Sequence, residues 1–129
     1  MKKIALIFMA LFCMMVVYAD NSAAFIKFEK VNHDFGKFSS KNPVVKCEFK
    51  FTNTGDAPLI INQAMASCGC TIPSYSEEPI KPGEQGSIKV VYNGTGRFPG
   101  HFKKSITILS NASKKIVKLT IEGEMYDEE

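Results

Sequence analysis

From Val44 to Phe51 the chain alternates without a break. Val45, Cys47, Phe49 and Phe51 occupy one set of positions; Lys46, Glu48 and Lys50 occupy the other. A strand sends successive side chains to opposite faces, whereas a helix needs apolar residues at every third or fourth position. This stretch therefore builds a strand with one face in a core and one in water. The period of two returns at Ile88, Val90 and Tyr92, at Phe102, Lys104, Ile106 and Ile108, and at Val117, Leu119 and Ile121. No segment after residue 20 carries a convincing apolar repeat at helical spacing.

Between these runs lie turn signals. Phe25 to Val31 reads as a first strand, and His33-Asp34-Phe35-Gly36 as an extended piece ending in a turn glycine. Asn53-Thr54-Gly55-Asp56 reads as a turn whose Asn and Gly tolerate left-handed backbone. Pro58 to Ala66 reads as a strand, and Ile72 to Pro79, with two prolines, as a loop. Lys81-Pro82-Gly83-Glu84 has the proline–glycine order of a type II turn. Asp127-Glu128-Glu129 reads as a solvated acidic tail. The prediction is an all-β protein, an immunoglobulin-like β-sandwich of seven to eight strands.

The first residues fit no strand. Lys2 and Lys3 precede an uncharged apolar run, Ile4 to Val17, and Val17-Tyr18-Ala19 offers small side chains where a signal peptidase reads. Residues 1–19 are therefore expected to be a cleaved signal peptide, leaving a single domain over residues 20–129. The run is short of the roughly 20 apolar residues a membrane span needs. Cys13 is a poor lipid-attachment site, because Phe12 stands where a small residue is required. Loss of Lys2 and Lys3 also brings the 16 basic residues close to the 13 acidic ones. No basic surface or motif for nucleic acid remains.

An exported chain meets oxidising conditions. Past the leader it has three cysteines, Cys47, Cys68 and Cys70, and an odd number cannot all pair within one chain. Ser67-Cys68-Gly69-Cys70-Thr71 concentrates the most chemistry in the fewest atoms. Strand geometry puts residues i and i+2 on one side, and Gly69 lets the backbone bend further. The two sulfurs have three readings: a small labile ring, a pair of thiolates for soft Cu(I) or Zn(II) with Met65 as a third ligand, or a bridge from one of them to Cys47. The plainest reading is a structural staple or packing of the loop. Two sulfurs fall short of the four ligands of a closed zinc site. Cys47, on an apolar strand face, reads as a small buried hydrophobe in preference to a bridge partner.

Other features carry less. His33 and Asp34 are strand neighbours and point to opposite faces, so they make no acid–base pair. His101 stands alone. Asn93-Gly94-Thr95-Gly96-Arg97 lacks the helix and the Lys-Ser or Lys-Thr pair of a phosphate loop and reads as a mobile hairpin. Arg97 and Phe98 at its tip are candidate partner contacts. The sequons at Asn93 and Asn111 read as turn chemistry.

Taken in order, His33-Asp34-Phe35-Gly36, Phe49-Lys50-Phe51-Thr52-Asn53-Thr54-Gly55, Ser67-Cys68-Gly69-Cys70-Thr71 and Lys81-Pro82-Gly83 resemble an exported family of unknown function marked by a CGCT signature. That family is abundant in Bacteroidetes, and its domain is similar to the immunoglobulin-like sandwiches of the ASH, major-sperm-protein and PapD-like group. The resemblance spans about Phe25 to Met125 and implies an exported sandwich domain without implying a reaction.

No Ser-His-Asp or Cys-His set and no paired carboxylates are readable. The expectation is a non-catalytic binding or assembly module without a cofactor. It would work in the periplasm or on the outer surface of a Gram-negative bacterium, where its partner is another exported or cell-envelope protein. Such sandwiches bind through end loops or by pairing an open edge strand. The alternative is a protein that handles thiols or soft metal (Cu or Zn) through Cys68 and Cys70.

Overall fold

The computed structural model of the protein describes residues 22–128, so the leader assigned to residues 1–19 lies outside the described residues. Eight strands follow in order: β1 (Ile26–Phe28), β2 (Asn32–Ser39), β3 (Val44–Asn53), β4 (Ile61–Ala66), β5 (Thr71–Tyr75), β6 (Gln85–Asn93), β7 (Gly100–Ser110) and β8 (Ile116–Tyr126). They form two four-stranded sheets, ordered β1-β3-β6-β5 and β2-β8-β7-β4. All pairs are antiparallel except β2 with β8. This is the sandwich that the alternation predicts.

The alternating positions meet between the sheets. Phe49, Phe51, Ile88 and Val90 of the first sheet and Ile106, Ile108, Leu119 and Ile121 of the second are all 2% exposed or less. Burying one such side chain stabilises by roughly 1.5–3 kcal/mol. An exposed ion pair such as His101–Glu122, at 3.8 Å, is worth at most about 1 kcal/mol. The packed strand faces therefore hold the fold.

Three local expectations are corrected. Residues 71–75 form β5, although Pro73 suggested a loop. β5 is the outer strand of its sheet, where a residue without an N–H is tolerated. Gly36 does not end β2. It sits at φ +69 within it, where the register with β8 shifts between Asp34 and Lys37, and Asp34 Oδ1 accepts its N–H at 2.7 Å. The strand expected over Pro58–Ala66 starts only at Ile61; Leu59 instead makes an isolated bridge to Ile80. The acidic tail is solvated at Asp127 and Glu128, as expected, and is also held: Ser39 Oγ donates to the Glu128 carboxylate, and Glu128 N–H donates to Ser40 Oγ at 3.2 Å.

Asn53 is more than a turn residue, and neither it nor Gly55 is left-handed. Its side chain is fully buried. Nδ2 donates to Ala57 O at 2.8 Å and Ile80 O at 2.9 Å, while Oδ1 accepts from Gly55 N at 3.0 Å and Phe25 N at 3.4 Å. Gly83, by contrast, takes φ +82 in the expected type II turn, closed by Glu84 N to Lys81 O at 3.0 Å.

Strand register gathers four chain segments at one end of the sandwich. Val44 faces Asn93, Thr71 faces Tyr92, Gly100 faces Met125 and Ser39 faces Tyr126. The β2–β3 turn, the β4–β5 crossover, the β6–β7 loop and the end of β8 therefore share one rim.

Candidate functional site

The β4–β5 crossover carries the two adjacent cysteines from the second sheet to the first. Both of its ends are fixed. Ser67 N donates to Ser105 O at 2.9 Å and Ser105 N donates to Ser67 Oγ at 3.1 Å, which ties one end to β7. Asn93 N donates to Cys70 O at 2.8 Å, which ties the other end to β6. Thr71 N donates to Cys68 O at 3.1 Å and closes the turn.

Within this turn Cys68 and Cys70 are joined by a disulfide, with Cα atoms 5.2 Å apart. Cys70 is only 7% exposed; Cys68 is half-buried and reachable. Gly69 is not where the backbone bends to positive φ. A Cβ built there meets nothing within 4 Å. The chain does turn at Gly69, but without a positive φ, so the turn does not depend on glycine there.

The β6–β7 loop supplies the charge. Gly94 N donates to Pro43 O at 2.9 Å, and a Cβ on Gly94 would come within 2.9 Å of Met125 Sδ, so this glycine lets the loop lie close against the rim. Thr95 N donates to Asn93 Oδ1 at 3.0 Å and Arg97 N to Gly94 O at 3.0 Å, with Gly96 at φ +74. This turn aims Arg97 inward, and its Nη2 donates to Cys68 Sγ at 2.7 Å. Arg97 is thus anchored to the crossover, whereas Phe98 beside it is 97% exposed.

Beneath the rim lies an aromatic wall. Tyr92 stacks on Phe102 with centroids 3.9 Å apart, and Phe38 meets both edge-on. Burial raises the Tyr92 phenol above its ordinary pKa, and the Arg97 charge opposes that rise. Arg97 therefore acts on both Tyr92 and Cys68.

The remaining candidates lie apart from this cluster. Met65 is 43% exposed and pairs with Thr107 within β4 and β7. Cys47 is a free thiol opposite Val90 on the inner side of the first sheet, and burial pushes it up to about 11. His33 packs edge-on against Phe35. Among the described residues, no group of three His, Cys, Asp or Glu could hold a metal ion. Of the two sequon asparagines, Asn93 closes its own turn as above, whereas Asn111 reaches the segment before β4, accepting from Ile60 N at 2.8 Å and donating to Pro58 O at 3.0 Å.

The open edge of β5 is a poor template for another strand. The bond from Asn93 N to Cys70 O points residues 70, 72 and 74 toward β6, so the backbone of Thr71, Pro73 and Tyr75 faces outward. Pro73 has no N–H, and Thr71 has already given its own to Cys68. An edge with so few donors resists pairing.

A family model described as a protein of unknown function, DUF1573, matches residues 26–125. The chain belongs to this family. In fold, this DUF1573 domain is similar to a protein of unknown function from Porphyromonas gingivalis W83, with TM-score 0.67 and 15% identity over 78% of this chain. That match takes in 46% of the Porphyromonas protein, so the chain spans less than half of its length. It is also similar to the ASH/PapD-like domain 7 of human CEP192, with TM-score 0.66, 7% identity, 83% of this chain and 89% of that one. The YadV chaperone aligns with TM-score 0.52 and 14% identity over 81% of this chain and 52% of its own. No curated protein matches the sequence.

Sequence reasoning found the cysteine pair and the Arg97–Phe98 tip, but not that they meet. The contact depends on β5 and β6 being neighbours, which period-two patterning does not specify. It also missed Asn53 as a buried polar hub and Tyr92–Phe102 as the wall of the rim.

Proposed function

We propose that the protein is an exported, non-catalytic binding or assembly module. It docks a cell-envelope protein through the rim formed by the β4–β5 crossover and the β6–β7 loop. The observation that carries this reading is Phe98, 97% exposed beside an Arg97 that is held in place. Aromatic and arginine side chains dominate the energetic centres of protein interfaces. Val44 and Ile72, 46% and 55% exposed, extend apolar surface onto the outer face of the first sheet at the same end. The likeness to a chaperone supports a sandwich that works on other proteins.

A photo-crosslinking residue at position 98 tests this in cells. The expected result is one defined envelope-protein adduct, absent when the same group replaces Lys118 on the outer face of β8. Equal adducts from both positions, or none from position 98, would contradict it.

A second reading is favoured by the bridge itself. Cys68 and Cys70 exchange thiols with a partner at the same rim. The soft-metal version, with Met65 as third ligand, fits less well. Two sulfurs bonded to each other offer no thiolate, so the pair must first be reduced before it can hold Cu(I) or Zn(II).

A further inference from the structure

The geometry points to Cys68, Cys70 and Arg97 as a thiol–disulfide exchange site. In it Cys68 is the sulfur that exchanges with a cysteine pair of an incoming polypeptide, and Arg97 holds the Cys68 thiolate. This inference rests on the second reading above and assigns the roles within it.

Three observations carry it. The first is asymmetric access: Cys68 is half-buried and Cys70 only 7% exposed, so an incoming sulfur meets Cys68. The second is Arg97, whose Nη2 lies 2.7 Å from Cys68 Sγ while, among the described residues, no carboxylate is within ion-pair distance of it. A neutral disulfide sulfur is a weak acceptor. A thiolate is a strong one, so the guanidinium gains most when the bridge opens. The third is Gly69: beyond the two flanking cysteines, a Cβ there would meet nothing within 4 Å, so the turn that carries the bridge borders open space. Cys47 stands apart from the bridge, half-buried opposite Val90 on the inner side of the first sheet, where burial disfavours its thiolate.

The exchange balances as follows. A partner thiolate attacks Cys68 Sγ, the Cys68–Cys70 bond breaks, and its electron pair leaves on Cys70 Sγ, which takes a proton from water. Cys68 and the partner are then joined by a mixed disulfide. The partner's second thiolate attacks the partner sulfur of that bond, and Cys68 leaves as a thiolate beside Arg97. The partner gains one disulfide and loses two electrons; Cys68 and Cys70 end reduced and carry them. A leaving thiol of lowered pKa departs faster.

The test uses the mature protein reduced with a phosphine. Thiolate absorbance and alkylation are followed against pH, and each site is read by peptide mass. Cys68 is expected to alkylate first. Arg97→Ala should cut its thiolate fraction at mildly acid pH roughly tenfold, as one unit of pKa does. Its alkylation rate should fall only about threefold, because the more basic thiolate is intrinsically more nucleophilic. Arg97→Lys should restore part of both, and Lys118→Ala, on the outer face of β8, neither lose nor gain. Cys70 reacting first, or an unmoved Cys68 titration in Arg97→Ala, would overturn the assignment. The underlying reading fails separately, if reduced glutathione cannot open the bridge in the native protein.

Discussion

Arg97 Nη2 lies 2.7 Å from Cys68 Sγ, across 29 residues of sequence. Two loops from different strand pairs are thereby fixed to each other, and an exposed Phe98 is presented beside a disulfide. The sandwich supplies this placement, since the crossover is tied to β7 through Ser67 and to β6 through Cys70. The proposed docking and the proposed sulfur exchange thus share one rim.

Asn53 holds the opposite end together. Replacing it with Ala removes the side-chain donor to Ala57 O and one of the two donors to Ile80 O, which keeps Leu59 N, and takes the side-chain acceptor from Gly55 N and Phe25 N. The expected loss is about 2–4 kcal/mol, seen in urea as a lower midpoint with an unchanged slope. Asn53→Asp should cost as much or more, because it adds a buried charge without restoring the donors.

Gly55 and Gly69 should behave oppositely. A Cβ on Gly55 would sit 2.1 Å from Ala23 O and 2.6 Å from Phe25 N, so the first strand must shift. Gly55→Ala is expected to lose about 2 kcal/mol or more. Gly69→Ala meets nothing within 4 Å and should change stability by less than about 0.5 kcal/mol. Thermal unfolding of the pair of variants checks both.

How much of this was legible in the sequence follows from what alternation encodes. Val45, Cys47, Phe49 and Phe51 declared a strand and its buried face, and the type II turn at Pro82-Gly83 declared itself through proline and glycine chemistry. Pro73 misled, because its meaning depends on whether a strand is central or outermost, and that is a property of the assembled sheet. Gly36 misled for a related reason: a positive φ serves a bulge as well as a turn. The Cys68–Arg97 contact was invisible, since it needs the order β3-β6-β5 to bring two loops together. Asn53 looked like turn chemistry because its burial depends on Ile80 and Phe25, both distant in the chain.

Cys47 makes stability depend on alkaline pH. Burial raises its thiol from 9.0 to about 11, so the folded state retains the proton after the unfolded state releases it. Its contribution is complete below the unfolded value and is lost as pH rises from about 9 to about 11. Denaturant midpoints should fall across that window in the native protein and fall less in Cys47→Ala. The same protonation should leave Cys47 the slowest thiol to alkylate at neutral pH.

Thiol counting should follow the bridge. Unfolded and unreduced, a chain of residues 20–129 is expected to give one reactive thiol, from Cys47, and after reduction three. Three thiols before reduction, in protein purified from an oxidising compartment, would mean that the bridge does not form there.

The most direct measurement is a trap for the mixed disulfide in cells. Cys70→Ser leaves Cys68 a free thiol at the rim, which can attack a partner's disulfide in the reverse of the exchange above, and the mixed disulfide so formed is no longer displaced by Cys70. The expected result is a defined, reducible envelope-protein adduct in Cys70→Ser that is absent in Cys68→Ser and weakened when Phe98→Ala is added. Equal adducts from both single variants, or none from either, would contradict a rim that docks and exchanges at Cys68.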